Sequence, residues 1–397
     1  MEGPILQLKN PATTVALAVL PPLSLYVHIP WCVRKCPYCD FNSHEVKGDI
    51  PERDYVASLI ADLELALPQV WGRAVHTVFF GGGTPSLLSA RALDDLLSAI
   101  RARLPLAPEA EITLEANPGT FEAQKFADFR AAGVNRLSIG IQSFHPAHLK
   151  ALGRIHDGVQ ARAAIEIAQT SFDNFNLDLM YALPGQTVEQ ALADFDTAIG
   201  FGPTHVSAYQ LTIEPNTYFH RHPPPIPDHD VAADMQDAIE TRLASAGYRH
   251  YETSAFARAG RAARHNLNYW SFGDYLGVGA GAHSKLSFAD CILRQMRVKQ
   301  PRDYLEKMAA GVPVQREHRL AAEELPFEFM MNALRLIDGF ELRLFPERVG
   351  LPIHVLRKPL DAAQKSGFIE RDHARVRPTL RGQRFLNDLL QIFLGAG

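Results

Sequence analysis

Cysteine is scarce in this chain of 397 residues: there are four, and three of them, Cys32, Cys36 and Cys39, fall within one short run. The fourth, Cys291, stands alone far downstream, so a disulfide framework is excluded. An excess of one charge is lacking too. Forty Lys and Arg face 44 Asp and Glu for a net charge of -4, which leaves none of the basic footprint of a nucleic-acid binder. No uninterrupted apolar segment is long enough to span a bilayer. Residues 1–10 carry Glu2 and Lys9, and residues 13–20 form a short apolar run without a cleavage site, unlike a signal peptide. There is no low-complexity tract and no internal repeat beyond a strand–helix alternation. What is present, 47% hydrophobic and 21% charged residues, is ordinary for a soluble protein with a large core. Clustered reduced thiols place it in the cytoplasm. The length fits one barrel-like α/β domain of roughly 200–250 residues and a smaller one.

From residue 23 to about 213, short β-rich apolar runs alternate with amphipathic helical stretches. Strands are expected at 23–29, 75–80, 111–116, 136–141, 176–181 and 205–213. Helices are expected at 54–67, 90–104, 121–132, 160–169 and 188–199, with a capping box from Thr187 to Gln190 and stops at Gly133 and Gly200. Such spacing implies βα units on a parallel sheet, with active residues at the carboxyl ends of the strands. Those ends are chemically specific: the cysteine run, then Gly81-Gly82-Gly83-Thr84-Pro85, Glu115 with Asn117, Gln142 with Ser143, Asp178, and Tyr209 with Gln210. The chain divides into a short segment 1–22, a core 23–246, an extension 247–317 and a C-terminal unit 318–397. That last unit reads as helix, helix, short strands and a final helix, in winged-helix-like order. Residues 220–229 read as a Pro- and His-rich exposed loop, and Cys291 as an ordinary buried thiol.

Three thiolates this close together most often hold metal. Taken alone they leave three readings: an iron–sulfur cluster with one iron open, a zinc site completed by His28 or His44, or a set of inert thiols. The Gly-rich loop and the polar strand ends favour the cluster, since zinc would explain neither.

The C-x3-C-x2-C spacing after a first strand resembles the radical S-adenosylmethionine (SAM) superfamily. The runs 26–32, 79–85, 114–118, 140–144, 176–179 and 183–187, with Arg154, are similar to its oxygen-independent coproporphyrinogen III dehydrogenase group. This resemblance covers nearly the whole chain. It implies a partial (βα)6 TIM-like barrel with a small C-terminal winged-helix-like α+β domain. It also implies a [4Fe-4S] cluster on Cys32, Cys36 and Cys39, and SAM on the open iron. Reduction through the cluster, by an electron donor such as a flavodoxin or ferredoxin, then yields a 5′-deoxyadenosyl radical. Matching positions would hold SAM: Tyr26 beside the cluster, Tyr38 on the adenine side, Gly82, Gly83 and Thr84 along the methionyl part. Glu115, Gln142, Arg154 and Asp178 would take its carboxylate and ribose.

Within the group the sequence departs from the dehydrogenases. They carry a fourth cysteine two residues past the third, where Phe41 stands here, and a longer N-terminal extension. Phe41, the short N-terminus and the run His265-Asn266-Leu267-Asn268-Tyr269-Trp270 are similar to the HemW-type haem chaperones. That resemblance implies haem as cargo, with His265, Tyr269 and Trp270 as candidate haem-binding residues and haem-dependent respiratory proteins as recipients. It is compatible with a dimer and with peripheral membrane association, though no basic amphipathic helix demands the latter. Radical decarboxylation of coproporphyrinogen III is the competing expectation. His283 is expected at the barrel mouth.

Overall fold

The computed structural model describes residues 14–120 and 123–394. The expectation for residues 1–10 lies outside them, as does the start of the helix expected at 121. Six parallel strands form the frame: β1 (Leu23–Ile29), β2 (Val75–Gly82), β3 (Leu106–Ala116), β4 (Arg136–Gln142), β5 (Phe175–Tyr181) and β6 (His205–Gln210). Between them run α1 (Glu52–Val70), α2 (Ala90–Arg103), α3 (Ala123–Ala132), α4 (Gly158–Ser171) and α5 (Val188–Gly200). The six strands pair in chain order. Along the outside α1 packs on α2, α2 on α3 and α3 on α4. A doubly wound sheet would split its helices between two faces; here the winding is single, so the sheet curves and leaves a concave interior.

Local sequence accounts for these elements. β1 is buried along almost its whole length, as a parallel strand covered on both faces must be. The expected box caps α5: Thr187 accepts from the Gln190 N–H, and Gln190 returns to the Thr187 N–H. Asp157 and Gln160 build a second box on α4 that the pattern reading overlooked. The stop after α5 is Gly202, at φ +63°, not Gly200.

The sheet is wider than six strands. α6 (His229–Ser245), capped by Asp228, begins inside the expected His-rich loop. β7 (Arg249–Glu252) and β8 (Ala255–Ala257) follow it and pair antiparallel beyond β6. α7 (Arg264–Trp270) leads into β9 (Asp274–Val278), which lies parallel against β1. β10 (His283–Ser287), β11 (Ile292–Arg297), α8 (Pro301–Ala309) and β12 (Val314–Arg319) extend that edge antiparallel, giving a mixed 12-stranded sheet. The glycine run after β9 disguised it. Gly277 is obligatory there, because a Cβ would collide with the His283 backbone. Cys291 sits half-buried before β11 rather than in the core.

The C-terminal unit has its own apolar cluster, centred on Phe329, Phe340, Phe345 and Val376. Its order is α9 (Leu325–Ala333), β13 (Phe340–Glu341), α10 (Leu344–Val349), α11 (Arg357–Lys365), and a hairpin of β14 (Ile369–Arg371) with β15 (Arg375–Pro378). The expected final helix is broken at Phe385 into Leu380–Arg384 and Leu386–Gln391. Val15 and Leu17 join this cluster, and the Ala16 N–H bonds to the Gly350 carbonyl.

A buried carboxylate ties the extension to the barrel. Asp62 on α1 accepts from Arg297 Nε at 3.0 Å, Tyr304 Oη at 2.8 Å and the Gly279 N–H at 3.1 Å. Removing one partner of such a pair strands the other charge in low dielectric, at about 3–5 kcal/mol. Asp62→Ala is therefore expected to lower unfolding free energy by about that much in urea titration. A loss below about 1 kcal/mol, the ordinary surface range, would show the network to be dispensable.

Candidate functional site

The concave interior opens at the carboxyl ends of β1–β6 as a cavity of about 440 Å³. Its wall carries Cys32, Cys36, Cys39, Tyr38, Gly82, Gly83, Thr84, Glu115, Gln142, Arg154 and Asp178. All but one of the residues assigned by resemblance to cluster and SAM thus meet on one surface. The exception is Tyr26, which lies behind it, its hydroxyl 3.0 Å from His28 Nδ1.

The cysteine loop is held against the glycine loop by backbone contact. The Gly83 N–H bonds to the Ile29 carbonyl at 2.8 Å, and the Thr84 N–H to the Trp31 carbonyl at 2.7 Å. Gly82 has φ +115°, and a Cβ there would come within 2.5 Å of the His28 ring; one on Gly83 would strike the Trp31 backbone. The glycines are thus required by loop-to-loop packing, and their bare faces turn away from the cavity. From the other side, Asn42 donates to the carbonyls of Ala280 and Lys299, both at 2.9 Å. Pro37 and Tyr38 anchor the loop to a side cluster with Leu152, Met180 and Phe219.

Each thiol has at least one polar neighbour. Arg154 Nη1 donates to Cys36 Sγ at 3.7 Å, and Cys39 Sγ lies 3.5 Å from Ser43 Oγ. Thr84 Oγ1 donates to Cys32 Sγ at 3.6 Å. That hydroxyl in turn accepts from Asn117 Nδ2, and Asn117 Oδ1 accepts from Arg154 Nη2 at 2.5 Å. One guanidinium therefore reaches two thiols, directly and through a relay. Burial pushes the Cys32 and Cys39 thiols up from their ordinary range. Metal coordination would reverse that. Three thiols on one wall, each with a hydrogen-bonding neighbour that can take up ligand-sulfur charge, fit a cluster. Zinc fits poorly. His28 Nε2 donates to the Asn42 carbonyl and its Nδ1 accepts from Tyr26, so no ring nitrogen is left. His44 Nε2 lies 3.2 Å from Asn42 Oδ1. Among the described residues no three His, Cys, Asp or Glu side chains close on a single-ion position.

The opposite wall is acidic. Glu115 accepts from the Gly82 N–H at 3.1 Å. Burial, then repulsion from Asp178, raises its carboxyl to about 8. Asp178 accepts from Ser138 and Asn176, and burial raises it as well. Two desolvated carboxyl groups sharing a cavity would be drawn to their ionised forms by a cationic ligand, and the sulfonium and amine of SAM are of that kind. Gln142 has φ +68°, beside a bulge in the β4–β5 pairing, a strained conformation of the kind found at ligand sites.

The haem-binding candidates lie elsewhere. His265 is 2% exposed within the barrel. Its Nδ1 is 2.7 Å from Thr77 Oγ1, its ring lies against Phe79 and Tyr269, and its Nε2 is buried without a partner. Burial lowers it to about 3, so the imidazole is neutral. Trp270 packs under the Arg335 guanidinium at 4.3 Å. Of this motif only Asn266 lines the cavity. His283 is exposed at the start of β10 and does not line the cavity as expected.

The sequence reading missed Arg136, Ser138, His205 and Ser207, which form the cavity's inner end. The signal was there: 136, 138, 140 and 142 alternate along β4, as 205, 207 and 209 do along β6, and alternate residues share one face.

A profile of the Radical SAM superfamily matches residues 26–198, and one of the HemN C-terminal domain matches 320–385. The chain is 50% identical over 377 residues to a protein of Escherichia coli named "Heme chaperone HemW", covering 94% of this chain and 99% of that one. It is 36% identical over 398 residues to a protein of the same name from Mycobacterium tuberculosis, covering 98% and 99%. Among solved structures, coproporphyrinogen III oxidase (HemN) from Escherichia coli superposes with a TM-score of 0.80 at 22% identity, covering 94% and 90%, a likeness of fold.

The raised Glu115 carboxyl has a pH signature. The folded state holds its proton up to about 8, against 4.5 ordinarily. The stabilisation it gives is full at low pH and is lost as pH rises through that window. In the ligand-free protein, Glu115→Gln should flatten the fall in melting temperature between pH 5 and 8. An unchanged slope would show that Glu115 ionises normally.

Proposed function

The chain belongs to the radical SAM superfamily and, within it, to the family of HemW haem chaperones, and on that premise we propose a haem-carrying role for it. In this reading it binds a [4Fe-4S] cluster, SAM and haem in the cytoplasm and delivers haem to respiratory haem proteins. The observation that carries the choice of chaperone over dehydrogenase is Phe41. It stands where a dehydrogenase has a further cysteine, and it lies 64% exposed at the cavity wall beside Cys39. A phenyl ring there adds no ligand and offers an apolar face to a flat macrocycle.

Cys32, Cys36 and Cys39 would hold the cluster, which supplies one-electron chemistry and an open iron for SAM. Thr84, Arg154 and Ser43 supply hydrogen bonds around the thiolates. Glu115 and Asp178 balance the cationic end of SAM, Arg154 and Gln142 face its carboxylate and ribose, and Tyr38 flanks the adenine. Tyr26 acts from behind by fixing the His28 ring. His265 would be the haem ligand through Nε2, the ring atom no protein group occupies. Tyr269 and Trp270 flank it on α7. Reaching that atom requires α7 to move, since the ring is enclosed. The reading leaves a place for a flavodoxin- or ferredoxin-type electron donor, a dimer, and a recipient at a membrane. The division at residues 22, 246 and 317 is part of the same proposal.

Anaerobic reconstitution tests it. Iron and acid-labile sulfide should appear in equal amounts and be lost in Cys36→Ala. Haem should bind stoichiometrically, with a Soret band lost in His265→Ala. Conversion of coproporphyrinogen III to protoporphyrinogen IX by the reconstituted protein would overturn the chaperone reading in favour of the dehydrogenase.

A further inference from the structure

The inner end of the cavity holds a buried guanidinium that no group of the described residues pairs with or hydrogen-bonds. Among the described residues three Lys or Arg side chains are almost wholly buried: Arg136, Lys285 and Arg297. Lys285 is paired with Asp274 at 2.9 Å and Arg297 with Asp62 at 3.0 Å. Arg136, 2% exposed at the start of β4, forms no ion pair or hydrogen bond through its guanidinium among the described residues, and its Nε is buried without a partner. Asp178 feels its charge, which offsets part of the rise that burial gives that carboxyl, but the hydrogen bonds of the cavity's carboxylates go to other groups. Asp178 accepts from Ser138 and Asn176, Glu111 accepts from the Arg264 and His265 N–H groups, and Glu115 accepts from Gly82.

The neutral groups around Arg136 are hydrogen-bonded to one another rather than to its guanidinium. Asn176 Oδ1 accepts from His205 Nδ1 at 2.6 Å and from Ser207 at 3.1 Å. His205 Nε2 accepts from the Tyr251 hydroxyl at 2.8 Å, and the Tyr251 oxygen accepts from the Ala263 N–H. Burial, then the Arg136 charge, keeps His205 neutral. Arg136, Ser138, Asn176, His205, Ser207 and Asn266 all line this end of the cavity. A desolvated guanidinium with no acceptor is costly, and a cavity that presents one is complementary to an anion.

We infer that Arg136, with Asn266 beside it, is a carboxylate-binding subsite at the inner end of the barrel, separate from the wall that faces cluster and SAM. On the haem-carrying reading of the previous section, its occupant is a propionate of haem. Arg136 lies close enough to His265 to depress that imidazole by its charge. A macrocycle ligated at His265 would therefore bring its carboxylate edge toward this guanidinium. A second source of the same chemistry is the methionyl carboxylate of SAM, which would then point inward to Arg136 in place of Arg154 and Gln142.

The test uses the full, anaerobically reconstituted chain with three probes: haem, iron protoporphyrin dimethyl ester and SAM. Arg136→Gln should bind haem about ten- to a hundredfold more weakly than wild type, the range of a lost charge-assisted hydrogen bond. It should bind the dimethyl ester as wild type does, since the ester has no charge to lose. Arg136→Lys should recover part of the affinity, having the charge without the fork. If SAM affinity falls instead, the subsite stands and SAM fills it. The inference is overturned if Arg136→Gln leaves both haem and SAM affinities unchanged, or weakens haem and its ester alike. A wild type that takes up no haem refutes the carrier reading, and the SAM arm still decides the subsite. Melting temperature is the control for folding. With no hydrogen bond or ion pair to lose, Arg136→Gln should melt close to wild type. A marked drop with ligand affinities unchanged would make Arg136 a structural residue.

Discussion

The site depends on the reach of Arg154. Its guanidinium touches Cys36 directly and, through Asn117 and Thr84, reaches Cys32. It also donates to the Gly140 carbonyl at 2.6 Å, so its position is fixed by β4. Four elements are thereby locked together: the cysteine loop, the glycine loop after β2, the end of β3 and the bulged end of β4. In water such a chain of hydrogen bonds would be worth little. Inside a cavity walled by protein, each polar group is costly to leave unpaired, so the network specifies one arrangement. The glycines at 82 and 83 are the steric side of the same constraint, because any side chain there would push the two loops apart.

Charge is graded along the cavity. The outer wall combines thiols with the Arg154 cation, the middle carries Glu115 and Asp178, and the inner end carries Arg136. Burial raises the proton affinity of both middle carboxyls; Asp178 adds to the rise at Glu115, while hydrogen bonds and the Arg136 charge hold Asp178 back. A ligand cationic at one end and anionic at the other therefore has its cationic end fixed at the middle, with a guanidinium on either side to take the anionic end. That selectivity comes from desolvation more than from any single contact, since the same charges on an exposed surface would be screened.

Much of this was readable in the sequence, and the parts that were not have identifiable reasons. The six parallel strands follow from continuous apolar runs, and the outer wall follows from polar residues at strand ends. Two signals were overlooked. Alternation of Arg136, Ser138, Gly140 and Gln142 marks an inward-facing row, but it hides inside a run that also supplies core residues on the other face. β9 reads poorly because Gly277 and Gly279 lower strand propensity while serving close packing, against the His283 backbone and the His28 carbonyl respectively. His265 shows a different limit. A motif's residue types suggested an accessible ligand, yet burial against Thr77, Phe79 and Tyr269 is a tertiary fact that local sequence does not carry.

The position of α7 sets what exposure of His265 would require. The helix closes the inner end of the barrel on one side and touches the C-terminal unit on the other, where Arg335 covers Trp270. Arg335 is itself held by Glu252 of β7, and Phe272, just past α7, packs edge-on against Phe329. Uncovering His265 by moving α7 alone would break the Arg335–Trp270 and Phe272–Phe329 contacts together. Moving the helix and the C-terminal unit as one body would keep both and strain instead the Glu252–Arg335 bridge and the strand connections at β7 and β9. The second route leaves the buried Glu252 carboxylate without its cation, a loss at least as costly as aromatic packing, so contacts of the C-terminal unit oppose both routes. The unit that matches the HemN C-terminal domain is thus physically placed to govern access to the barrel's inner end, because the helix that seals it is packed against that unit.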